Sequence, residues 1–424
     1  MTETPARTEP LADFPVTRPS GCPFDPATGY ADLLAGEQPA KVSTPLGVDV
    51  WVVSRYAEVR EVLSDPRLSS RSAPSAHAVP EADLEREVES GSILQNDGAR
   101  HAHLRRLLTS EFTVKRVQAL RPRIVDLIEQ HLDAMLASDG PVDLVEQFAL
   151  PIPSLVICEL LGVPYSDRDQ FQRWSALLLA VNRTQQEMQA TSEQLQEYMA
   201  RLVMAKQAER TDDLLSRLIT RAEDQGAPLT VPELVSIGNT LLIAGHETTA
   251  NMIALSTLAL LRNPEQLQQL RDNPELAPTA VEEMLRYLSV VQFGLFRHVL
   301  EDLPIGAETV KAGEYLVAAL SAGNRDESVF PDPDRIDLTR KASTHLAFGF
   351  GPHQCLGQQL ARVELAEVYT RLFRRIPTLR LAVPFEQLRF KHDALVYGVT
   401  ALPVTWDRDG AEGERDRAED AEAS

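Results

Sequence analysis

The stretch Phe348 to Gly357 reads F-G-F-G-P-H-Q-C-L-G. It sets one cysteine, Cys355, among the glycines Gly349, Gly351 and Gly357, and an amphipathic pattern follows at once. Ala361, Leu365, Val368 and Leu372 recur at helical spacing, with Arg362, Glu364, Glu367, Arg371 and Arg374 among them. Cys355 therefore stands on a glycine-rich turn at a helix start. Unpaired N–H groups and partial positive charge there favour a thiolate, the form that binds metal. Gly349 and Gly351 let the backbone turn tightly and approach something flat and bulky. Phe348 can pack on that object and His353 can hydrogen-bond to it.

At Phe348, Gly349, Gly351, His353, Cys355 and Gly357 the string resembles the haem-binding loop of the cytochrome P-450 family. The resemblance implies a mainly α fold with smaller β-sheets (α+β). The haem would lie between a long central helix and the helix after the cysteine loop, with Cys355 on the iron. A zinc site from Cys355 and His353 would lack further ligands nearby.

Composition agrees with a large globular protein: 424 residues, 43% hydrophobic and 25% charged. With no clear linker, residues 21–406 read as one domain, flanked by a polar, proline-rich tail (1–20) and an acidic one (407–424). The net charge of −20 disfavours nucleic acid and anionic membranes as partners. The N-terminus does not read as a signal peptide. The most apolar window, Leu241 to Leu261, carries His246, Glu247, Thr248, Thr249 and Asn251, which would be expensive in a membrane. Cys22, Cys158 and Cys355 are odd in number and widely spaced, which fits a reducing cytoplasm better than a disulfide framework.

Along the chain, Lys41 to Arg55 reads as a β-hairpin around Pro45-Leu46-Gly47, and Tyr56 to Ser64 as a short helix. Ser70 to Gly98 has no firm period; the resemblance makes it a lid over the substrate pocket. Asp97 to Phe112 reads as a helix with His101 and Arg105 on one face. The resemblance implies that both meet the haem propionates, as does Arg297 from a strand. Phe293 and Leu295 precede Arg297 at strand spacing and should share its face or the adjoining pocket wall. From Val114 to Glu223 the chain reads as mostly helical, with breaks near Gly140-Pro141 and Gly162 to Pro164. Trp174 to Val181 and the polar stretch after it resemble a mobile helical roof.

Thr230 to Arg262 is the longest helix pattern, with a capping box at Thr230 and Glu233 and a stop at Asn263-Pro264. It is apolar nearly all round, so it should cross the core. Ala244-Gly245-His246-Glu247-Thr248-Thr249 interrupts that run. Gly245 and a hydroxyl bonding back to the preceding turn permit a local opening of the ladder. The resemblance implies that Glu247 and Thr248 face the haem and manage protons. Glu283 and Arg286 share a helix face, and Arg335 in F-P-D-P-D-R-I-D resembles the residue that closes a structural Glu-Arg-Arg network. Pocket candidates are Thr240, Ile243, Ala244, Phe293, Leu295, Leu395 and Val396, mostly apolar.

The resemblance implies a haem-thiolate monooxygenase carrying haem b and using O2 as co-substrate, most like the actinomycete branch that oxidises macrolides and xenobiotics in secondary metabolism. It would hydroxylate or epoxidise a hydrophobic organic molecule. No flavin or iron–sulfur motif is recognisable, so electrons from NAD(P)H must arrive through a ferredoxin and its reductase, docking near Arg105, Arg106 and Arg362. The chain is expected to be a cytoplasmic monomer. The alternatives are a peroxide-driven or non-oxygenating haem-thiolate enzyme, and a haem-binding module without turnover.

Overall fold

One helix, Val231–Leu261, organises the molecule. It begins at the capping box: the Thr230 hydroxyl accepts from the Glu233 N–H, and the Glu233 carboxylate accepts from the Thr230 N–H at 2.7 Å. Pro232 sits in the first turn, where no intrahelical donor is lost. Leu234, Leu241, Leu242, Ile253, Leu255 and Leu258 are buried, each worth about 1.5–3 kcal/mol on removal from water. Helices Pro151–Leu161, Gln185–Ala208, Ala277–Leu288 and Gln358–Arg375 pack around it. Two of its glycines permit close approaches. A Cβ at Gly238 would press into Met199, and one at Gly245 would meet Ile157 at 2.9 Å. Gly245 thus seats a neighbouring helix, and the central helix runs through it without interruption.

This computed structural model describes residues 12–13, 18–19, 22–36, 39–44, 48–71, 92–179, 184–392 and 394–407. The turn at 45–47, most of the expected lid (72–91), residues 180–183 of the expected roof and the acidic tail from 408 lie outside them.

The main sheet has six strands, in the order Ala12–Asp13, Ala40–Ser43, Asp49–Val53, Tyr315–Ala318, Leu295–Val299 and Leu68–Ser69. Its hairpin pairs Val42 with Val50, and Tyr56–Ser64 follows as the expected helix. Three- and two-stranded sheets complete the β portion. Between Leu379 and Trp406, strands among the described residues are Arg380–Leu381 and Pro403–Thr405.

The terminal segments are tied down further than expected. Ala12–Asp13 pairs in parallel with the hairpin. Arg18 is buried, donates to the Leu288 and Ser289 carbonyls, and lies 3.9 Å over the Tyr397 ring. Asp407 pairs with Arg380 at 2.7 Å.

The expected Glu-Arg-Arg network forms with a different third member. Glu283 and Arg286 are fully buried and joined by bonds of 2.8 and 2.9 Å. Arg340 closes the network at 3.2 Å. Arg335 is 65% exposed and pairs with Asp337; only its carbonyl takes part, accepting from Arg286 and Arg340. The meander turns at Asp332, which has a positive φ of 49°, and Arg340 reaches back to the carbonyls of Pro331 and Asp332.

Candidate active site

The Cys355 loop is closed by its own backbone. The Cys355 N–H donates to the Phe348 carbonyl and the Gly349 N–H to the Leu346 carbonyl, each at 2.8 Å. Gly349 and Gly351 have φ of +69° and +71°, which side chains other than glycine's rarely adopt. A Cβ at Gly351 would also collide with the Leu63 carbonyl, so the short helix Tyr56–Ser64 braces the loop. At Gly357, the N-cap of Gln358–Arg375, a Cβ would meet nothing, which leaves the loop's end open to a bulky neighbour.

The Cys355 thiol is raised by burial, opposed by the Gly357 and Gln358 N–H groups and the positive charges of Arg105 and Arg362. All the opposing groups favour a sulfur anion. Phe348 is half-buried, with the Arg362 guanidinium 4.6 Å from its ring centre.

The helix Gly98–Thr109 brings His101 and Arg105 to this loop on one face. The His101 ring stacks on His353 at 4.0 Å, and its buried Nε2 has no hydrogen-bond partner among the described residues. Burial, with help from His353 and Arg105, pushes His101 down to about 4. His353 Nε2 lies 3.1 Å from Asp97. Burial opposes ionisation of Asp97, but bonds from His353, Ser69 and Ser70 hold its carboxyl well below the usual range. Arg297 is buried on its strand and bonds only the Phe296 carbonyl among the described residues. Arg105 is half-buried and forms no ion pair among them. Burial lowers both guanidinium groups.

The central helix shows one less-covered stripe. Thr240, Ile243 and Thr248 are half-buried and Ala244 is exposed, at spacings of one helical face. The Thr248 hydroxyl donates to the Ala244 carbonyl at 3.0 Å. Glu247 is buried beside this stripe, with Lys391 Nζ at 2.7 Å and Asn251 Nδ2 at 3.1 Å.

Not every expected neighbour shares this space. Gly294 has φ of +75° and breaks the strand alternation. Phe293 therefore lies in a turn and joins the cluster of Tyr30, Val50 and Val317, against which Leu395 packs. Leu295 instead approaches Gly349, at 3.4 Å from where its Cβ would stand. Val396 is buried in the main core and bridges Val291. Arg362, expected as a free docking charge, is bound by Glu282 at 2.6 Å and by Gln358. Burial works against the Glu282 charge, but His345 and Arg362 hold it down to about 2. Arg371 pairs with Glu129 and Glu367.

Sequence reasoning missed Asp97, Arg340 and Lys391 as partners of the site and scaffold. Asp97 had a local signal, an acid just before a helix, which reads as an N-cap. It makes no capping bond and instead receives Ser69, Ser70 and His353. Lys391 has no local signal, because its partner is 144 residues away.

A half-buried thiol beside nitrogen donors that no carboxylate among the described residues meets at pairing distance suits a flat cofactor carrying acidic groups and a thiolate-ligated metal. His101, Arg105 and Arg297 fit the propionates of haem b, and Cys355 fits its iron. The comparisons with known proteins agree. The family profile "Cytochrome P450" matches residues 168–378. Cytochrome P450-SU2 of Streptomyces griseolus is 46% identical over 95% of this chain and all of its own length. Pentalenic acid synthase of Streptomyces avermitilis is also 46% identical, over 96% of this chain and all of its own. Among solved structures, CYP105P1 in complex with filipin I superposes with a TM-score of 0.88, at 42% identity, covering 94% of this chain and 99% of that one. The mycinamicin VIII C21 methyl hydroxylase MycCI from Micromonospora griseorubida, bound to mycinamicin VIII, gives 0.87 at 38% identity over 93% of this chain and all of that one.

The chain belongs to the cytochrome P450 family, and its relatives are actinomycete members of the CYP105 kind. It is a monooxygenase that uses haem b and O2, with electrons from NAD(P)H through redox partners. Among the described residues no helix is long and apolar enough to cross a membrane.

Proposed function

We propose that this chain hydroxylates or epoxidises a hydrophobic organic molecule of moderate to large size, of macrolide, terpenoid or xenobiotic-like class. The less-covered stripe of Thr240, Ile243 and Ala244 is mostly apolar, which supports this. Its relatives include a structure with filipin I bound and one with mycinamicin VIII bound. Cys355 is the iron ligand, and His101, Arg105 and Arg297 hold the propionates. The observation that carries this reading is the buried guanidinium of Arg297, which has no carboxylate at pairing distance among the described residues and feels the Cys355 loop's side through Asp97, the partner of His353.

Haem b bound through a thiolate supplies O–O cleavage and oxygen insertion. The protein's own residues do the rest. Phe348 would pack against the ring, and Gly357, at the open end of the loop, would leave room for it. Thr248 presents a hydroxyl at the open stripe, held by Ala244, where it can pass a proton inward. Glu247 sits one residue away as a buried carboxylate able to resupply it. A redox partner with an acidic surface docks on the cysteine-loop side. Arg106 and Arg60 carry exposed charges that form no ion pair among the described residues, and Arg60 lies 4.2 Å over the Phe350 ring of the loop. With Arg362 paired, they replace it in the docking surface.

The test is the absorption spectrum of the reduced protein under carbon monoxide. The strongly red-shifted Soret band of a thiolate complex is expected, lost in Cys355→His while haem is retained. A wild-type spectrum without that band would overturn the assignment of Cys355. Arg106→Glu should slow reduction by ferredoxin and flatten its salt dependence; an unchanged rate would remove Arg106 from the docking surface.

A further inference from the structure

Glu247 is the one carboxylate among the buried side chains of a largely apolar helix. Its charge is compensated from outside that helix. Lys391 Nζ lies 2.7 Å from Glu247 Oε1, and Asn251 Nδ2 binds the same oxygen at 3.1 Å and the Glu247 carbonyl at 2.9 Å. The pair is well shielded, with side-chain exposures of 27% for Lys391 and 7% for Glu247.

Lys391 belongs to the C-terminal hairpin. Its N–H donates to the Gly398 carbonyl at 2.8 Å, and Phe390 bridges Val399. The hairpin is pressed onto the central helix one turn past Glu247. A Cβ at Gly398 would overlap the Asn251 side chain, so only glycine allows this approach. The other side of the hairpin is held by Gln292, whose amide donates to the His392 and Ala394 carbonyls. Near its tip, half-buried Leu395 packs with Phe293 and Val317. One short segment thus joins an apolar cluster at its tip to the ammonium group that faces Glu247.

We propose that Lys391 is the positioning residue of Glu247: it holds the acid ionised and oriented, and links its readiness to accept a proton to the seating of the C-terminal hairpin. The inference rests on the reading of Glu247 as a proton carrier. The groups facing Glu247 are Lys391, the neutral Asn251 amide and His246. Burial pushes His246 down, and its Nδ1 is occupied by the Leu242 carbonyl. Lys391 is therefore the one fixed positive charge in this group. Burial favours the neutral acid, and Lys391 leads the effects that overcome it. Without Lys391, burial remains and shifts Glu247 towards its neutral form.

The experiment is infrared spectroscopy of the purified holoprotein, with coupling of NAD(P)H consumption to product measured alongside. In Lys391→Met, and in Lys391→Gln as a second variant, a protonated-carboxyl carbonyl band should appear at neutral pH. This band, additional to the one that neutral Glu364 gives in every form, should be absent from wild type and from Lys391→Arg, and vanish when Glu247→Gln is added. Coupling should fall several-fold in Lys391→Met, towards the loss of about 10²-fold set by removing a general acid, and recover in Lys391→Arg. Absence of the band from both neutral variants overturns the inference. A band that appears while Glu247→Gln keeps full coupling overturns instead the reading of Glu247 as a proton carrier.

Discussion

Two sets of arginines stand in contrast in this molecule. Around Glu283, the guanidinium groups of Arg286 and Arg340 meet a carboxylate inside the protein, and carbonyls of Asn324, Pro333 and Pro331 take their remaining donors. Around Cys355, Arg105 and Arg297 meet no carboxylate at pairing distance among the described residues, and His101 Nε2 has no acceptor there. The first set is closed and the second is open to a ligand. An arginine cannot escape burial by losing its proton, so an open set needs an anion from elsewhere. Acids can escape. Glu364, fully buried and with no acceptor or donor at Oε2 among the described residues, is pushed up to about 8 and stays neutral at physiological pH.

The largest expected effect breaks the closed set. Glu283→Ala strands two guanidinium groups and should destabilise the protein by about 3–5 kcal/mol, read from denaturant unfolding. In the open set, Arg297→Leu should leave the haem-free protein no less stable while weakening haem retention, read by transfer of haem to a scavenger globin. If Arg297→Leu instead destabilised the haem-free protein as much as Glu283→Ala does, the distinction would fail.

A smaller effect tests the acid that neutralises itself. The folded pKa of Glu364 lies above the unfolded one, so the folded state binds more protons between the two. Stability should therefore fall as pH rises from about 4.5 towards about 8. Glu364→Gln should flatten that slope and add up to roughly 3 kcal/mol at neutral pH. A pH profile of unfolding that the substitution does not change would show that Glu364 is ionised and paired.

The smallest effects separate the two meander arginines. Arg340→Ala should cost about 1–3 kcal/mol through lost bonds to buried acceptors. Arg335→Ala should stay within about 0.5 kcal/mol, as for an exposed side chain. Equal losses would restore Arg335 to the network.

These contrasts mark how far the chain could be read in advance. The central helix, its capping box and its stop were legible because caps and periodicity are local. So were the glycine turn before Cys355 and the helix Tyr56–Ser64. The post-loop helix was legible as a helix but not in its faces. Glu364 and Glu367, read among its polar positions, are both buried. That helix is covered on more than one side, and Arg121 from another helix reaches Glu367 at 2.5 Å. Phe293 was read at strand spacing from Arg297, but the positive φ of Gly294 places it in a turn before the strand.

By itself, the sequence determined which short segments turn, cap and run helical, and through its resemblance the family and the cysteine that marks it. Only the tertiary structure decided which charges meet. Local conformation depends on neighbours a few residues apart. Pairing of Lys391 with Glu247, of Arg340 rather than Arg335 with Glu283, and of Arg362 with Glu282 depends on helices, hairpin and meander converging across 57 to 144 residues of chain. A buried charge takes whichever partner the packing brings within about 3 Å.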